Sequence, residues 1–73
     1  MPGTDAQADV SKLAGVRKEL VGLRDQAKRR QVTELGAADR SPAALEQFHR
    51  EMAAYYEGQA TAYELAILAI DHA

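Results

Sequence analysis

The sequence predicts an all-α fold in which two long antiparallel helices form a hairpin. Three observations carry this. Period-two alternation is nowhere sustained and β-branched residues are scarce, so strand signals are nearly absent. Ala, Leu, Glu, Gln, Arg and Lys dominate, and all of them favour helix. After Pro2-Gly3 the one cluster of breakers is Gly36-Ala37-Ala38-Asp39-Arg40-Ser41-Pro42.

The first helix is expected over about 5–35. Pro2 and Gly3 precede it, and Thr4 or Asp5 is placed to cap it. Gly36 stands where a C-terminal cap glycine belongs. A loop is expected over about 36–41. Ser41-Pro42 then reads as an N-cap followed by Pro at the first helical position, opening a second helix over about 42–72. Each helix would be roughly 45 Å long at 1.5 Å per residue. The short connection makes the helices antiparallel neighbours, with residue i beside residue 77 − i, and residues 1–73 form a single hairpin domain.

Periodicity assigns the faces. On the first helix Leu13, Val16, Leu20, Leu23 and Ala27 follow 3-4 spacing. On the second, Leu45, Phe48, Met52 and Tyr55 lead a stripe continued by Gln59, Ala66 and Ile70. Leu13, Val16, Leu20, Leu23, Leu45, Phe48, Met52 and Tyr55 are therefore the expected hairpin core. His49, Tyr56, Tyr63 and Ile67 flank the second stripe. Gly15, Gly22 and Gly58 fall inside the helices, where small residues permit close helix approach.

The apolar arcs are wider than one hairpin can cover. A chain of 73 residues with no Cys has neither a disulfide framework nor a thiol zinc site to support a small core. Assembly into a four-helix bundle or larger coiled-coil-like oligomer is the expected remedy. The segment from Tyr63 to Ile70 is apolar on nearly every face, so Tyr63, Leu65, Ala66, Ile67, Leu68 and Ile70 are the expected interface with a second copy or a larger protein. No apolar run approaches the roughly 20 residues of a membrane-spanning helix, and no secretory pattern opens the chain. A cytoplasmic location is expected.

The formal charge of −2 hides a division. Lys12 to Arg30 holds seven basic and two acidic side chains, net +5, whereas the second helix sets Arg50 against Glu46, Glu51, Glu57, Glu64 and Asp71, net −4. Lys28, Arg29 and Arg30 are expected beside Glu46 and Glu51. Arg24, Lys28, Arg29 and Arg30 also form the face that a nucleic-acid-associated protein would use. No aromatic residue interleaves them, and helix-turn-helix spacing is absent.

Glu46-x-x-His49 places two ligand types on one helix face, with Glu34 as a third. In that motif alone the sequence resembles the ferritin-like and designed di-iron bundles. What the resemblance implies is a metal-binding bundle. No nucleophile is paired with a base, and there is no Gly-rich phosphate loop. The expected function is non-enzymatic: an oligomerisation or protein-interaction module, such as an adaptor, assembly factor or inhibitor, without cofactor or small-molecule ligand. Nucleic-acid association and metal binding are the second and third readings.

Overall fold

The computed structural model describes the backbone of residues 2–72 and the side chains of residues 9–72. Helix α1 spans Pro2–Arg40 and helix α2 spans Ala43–Asp71. They pack side by side as an all-α hairpin. The rod measures 63 × 15 × 11 Å. Its radius of gyration, 17.6 Å, well exceeds the roughly 11 Å of a compact domain this size. Every residue therefore lies within one side chain of the surface. Among the described residues, no helix is long and apolar enough to cross a membrane.

The link is shorter than expected. Helix α1 does not stop before Gly36; it continues to Arg40, leaving only Ser41 and Pro42 between the helices. Gly36 keeps a helical backbone, and no described glycine has positive φ. Its cost in a helix is about 1 kcal/mol, too little to end one whose next turn is anchored by buried Ala38. What ends α1 is Pro42, which disfavours helical backbone at Ser41. Ser41 Oγ donates to the Ala37 carbonyl at 2.6 Å, and its N–H reaches Ala38 O at 3.3 Å.

Ser41 thus serves the end of α1 and is not the N-cap of α2. Pro42 occupies that N-cap with an extended backbone (φ −56°, ψ 155°), so the cap lies one residue later than expected. Its carbonyl accepts from the N–H groups of Leu45 and Glu46. At the other end of the chain, Thr4 and Asp5 fall inside α1; their side chains lie outside the described residues.

A two-residue link resets the register. Glu34 meets His49, so residue i lies beside about 83 − i near the link. Farther out Arg17 reaches Asp71 and Lys28 reaches Glu64. The expected 77 − i register, built on a longer loop, is overturned. So is the pairing of Lys28–Arg30 with Glu46 and Glu51: Glu46 instead binds Arg50 on its own helix at 3.0 Å.

The seam also differs from expectation. Buried or half-buried residues on α1 include Leu20, Arg24, Ala27, Gln31, Glu34 and Ala38. On α2 they include His49, Ala53, Tyr56, Ala60, Tyr63, Ile67 and Ile70. Both sets keep 3-4 spacing, the signature of coiled-coil packing. The fully buried members are Ala27, Ala38, Ala53, Ala60 and Ile67. Small residues let two helix backbones approach closely, so this seam forms around alanine.

Much of the expected core is consequently outside. Leu45, Phe48 and Tyr55 are 51%, 54% and 58% exposed, and Leu13, Val16 and Leu23 are also exposed. Leu20 and Met52 are half-buried. The flanking set expected on α2 is the true seam, and the expected seam is the flank. The glycines are not points of close approach within the hairpin either. A Cβ added at Gly15, Gly22 or Gly58 would meet nothing within 4 Å.

Candidate assembly face

The two edges of the rod are chemically unlike. A helix turns about 100° per residue, so positions on either side of a seam fall on opposite edges. In an antiparallel pair, like flanks adjoin. One edge carries the ion pairs. Arg17 Nε donates to Asp71 at 2.7 Å, Lys28 Nζ lies 2.8 Å from Glu64, and Arg50 lies 3.6 Å from Asp39. The hydrogen bond from Arg17 holds the Asp71 carboxyl below the ordinary aspartate value, and the one from Lys28 does the same for Glu64. Asp71 in turn raises the Arg17 guanidinium.

The opposite edge is apolar. On α2 it presents Leu45, Phe48, Met52, Tyr55, Gln59, Ala62, Ala66 and Ala69, spaced 3-4 throughout. None of these eight carries a charge, on a helix whose other faces carry six. Beside them on α1 stand Val16, Leu23, Arg30 and Ala37, with Glu19, Gln26 and Thr33 at the outer positions of the same edge. All eight α2 positions are exposed or half-buried.

Seam residues hold this edge in place. Phe48 meets the His49 ring edge to face, with centroids 5.3 Å apart. One heptad later Tyr55 meets Tyr56 in the same way at 5.5 Å. Gln59 donates to the Tyr55 hydroxyl at 3.0 Å. Arg30 sits 5.8 Å from the Tyr56 ring centroid, where a cation is attracted to the π-face. The outward rings are therefore oriented by the hairpin before any partner arrives.

His49 and Glu34, both seam residues, form a polar bridge between the helices, with Nδ1 and Oε2 2.6 Å apart and both side chains about three-quarters covered. The register expected from sequence kept these two residues more than a turn apart; the shorter link brings them together. Glu46 does not join them. Among the described residues no group of three His, Asp or Glu converges to hold a metal.

The residues expected to form one interface near the C-terminus are divided among faces. Ile67 is buried in the seam, with Tyr63 and Ile70 half-buried beside it. Ala66 lies on the apolar edge. Leu65 is 62% exposed and points away from α1, whereas Leu68 is exposed on the charged edge. There it helps line a shallow depression of about 290 Å³ with Arg17, Arg24, Glu64, Ile67 and Asp71.

Of the basic residues, Arg24 pairs with Asp25 at 3.1 Å, Lys28 with Glu64, and Arg30 with the Tyr56 ring; Arg29 is exposed. Sequence reasoning found the stripe on α2 but assigned it inward. The stripe and the seam are both 3-4 repeats, and only the link length distinguishes them. No protein-family model, curated protein or solved structure matches this chain.

Proposed function

We propose that this chain is a non-catalytic assembly module, a two-helix rod that docks by helix-face packing. One observation carries the reading. A charge-free stripe of eight positions, headed by Leu45, Phe48, Met52 and Tyr55, is left uncovered along one edge. Cores of protein interfaces are depleted in charge and enriched in aromatic residues and Met, as this stripe is. Alanines close the hairpin, and the bulky side chains are left for a partner.

The nucleic-acid reading has less support, because Arg24, Lys28 and Arg30 are engaged within the chain. The metal reading lacks a third ligand near Glu34 and His49 among the described residues.

Photo-crosslinking in the native host tests the proposal. A photoreactive phenylalanine is placed at position 48 or 55, and at exposed Thr61 on the charged edge of α2 as control. Adducts from 48 and 55 but not 61 are expected. Equal labelling at all three positions, or none, overturns the docking reading.

A further inference from the structure

We infer that the partner on the apolar edge is a second copy of this chain, lying alongside with both links at the same end. The inference rests on the docking reading above and names its occupant. Two copies that meet through this edge can be related by a twofold axis in only two ways. An axis along the rod sets α2 of each copy against α1 of the other. An axis across the rod sets α2 against α2 and α1 against α1.

Charge decides between them. The first arrangement places an α2 of net −4 beside a stretch of α1 of net +5 on both sides of the axis. The second places like against like, which costs free energy and slows encounter. With the axis along the rod, every neighbouring helix pair is antiparallel and opposite in charge, as in an up-down four-helix bundle.

Side-chain size fits the same arrangement. The α2 stripe tapers from Leu45, Phe48, Met52 and Tyr55 near the link to Ala62, Ala66 and Ala69 at the open end. The edge of α1 tapers the other way, from Ala37 near the link to Leu23 and Val16. At matched levels Leu45 and Phe48 face the partner's Ala37, and Ala62 and Ala69 face the partner's Leu23 and Val16. The layers at the two ends then hold two large and two small side chains each, which fills space. The edge of α1 carries two charges, Glu19 and Arg30; Arg30 rests on Tyr56, level with the partner's Tyr55 hydroxyl, a hydrogen-bond acceptor.

The area is sufficient. A stripe from Leu45 to Ala69 is about 36 Å long on a helix about 10–12 Å across, or roughly 400 Å² in projection for each copy. Corrugation and the flanking α1 residues bring the total for two copies to about 1,200 Å², the lower end of stable interfaces.

Sedimentation equilibrium on the whole chain, with spin labels on introduced cysteines, tests the inference. The chain has no cysteine of its own, so labels are unambiguous. A mass twice the 7.9 kDa of one chain is expected. Labels on Ala44→Cys near the link should lie within about 30 Å of each other, because both links share one end. Links at opposite ends would separate them by about 40 Å or more; that result overturns the arrangement. Phe48→Glu with Tyr55→Glu should raise the dimer dissociation constant at least 100-fold while circular dichroism remains helical. If that variant fails to fold, the labelled parent still decides. A helical monomer at 100 μM overturns the second-copy inference. The docking reading then stands or falls on whether positions 48 and 55 crosslink to a different protein.

Discussion

Ala27, Ala38, Ala53 and Ala60 fill most of the buried seam, and their small size is what the seam depends on. Adding bulk there should hurt more than removing bulk from the outward stripe. Ala60→Leu is expected to destabilise the hairpin by about 1–3 kcal/mol, the usual cost of overpacking. Urea titration followed by circular dichroism at fixed protein concentration measures it. An unchanged midpoint would mean that the helices do not meet at Ala60. The alanines were visible in the sequence, but their role was not. Ala is also the best helix former, so its presence at 53 and 60 is explained equally well by propensity. The Glu34–His49 contact was hidden for a related reason. Both residues carry a 3-4 repeat on their own helix, yet their meeting depends on register, which no single helix encodes.

Two long helices were legible from composition and from the sparse breakers, and the structure has them. The boundary between them was not. Gly36 looked like a terminator because glycine so often is one. Its backbone is helical, and the residue that stops α1 is Pro42 acting on Ser41. This distinction is testable. A Cβ at position 36 would meet only the Arg40 guanidinium, the far end of a long side chain, at 3.3 Å. Gly36→Ala should therefore stabilise the hairpin by about 0.5–1 kcal/mol, the propensity difference in a helix interior. A left-handed cap glycine would respond in the opposite direction, so a lowered urea midpoint would refute a helical Gly36. The four or five residues by which the boundary was misplaced account for the other errors. They shifted the register by six, turned the seam to the neighbouring stripe and put Leu45, Phe48 and Tyr55 inside when they are outside.

At the scale of the whole rod, the end away from the link carries exposed ion pairs beside the buried Ile67. Asp71 and Glu64 have carboxyls below their ordinary values of 3.8 and 4.5, owing to Arg17 and Lys28. A carboxyl lowered on folding stabilises the fold above its unfolded value. That contribution is lost as pH falls through the lower, folded value. Thermal melts from pH 7 to pH 2 should show a midpoint that falls only below about pH 4.5. Asp71→Asn should show a smaller fall, and 1 M salt should reduce the difference. A variant that tracks the parent at every pH would remove Asp71 from the account. The charge division was legible from sequence at this scale, since it requires only the totals for each helix. Which charges meet depended again on the register.

The two-residue link also sets an order in time. Glu34 and His49 are 15 residues apart in the chain, whereas Arg17 and Asp71 are 54 apart. Closing the longer loop directly costs about 1 kcal/mol more in chain entropy. The hairpin should therefore zip from Ser41-Pro42 outward, each turn shortening the loop that remains for the next. Reversed, the same path makes the Arg17–Asp71 end the first to part and the Ala38 end the last. Amide exchange should slow steadily toward the link, so the rod opens like a hinge whose pin is Pro42.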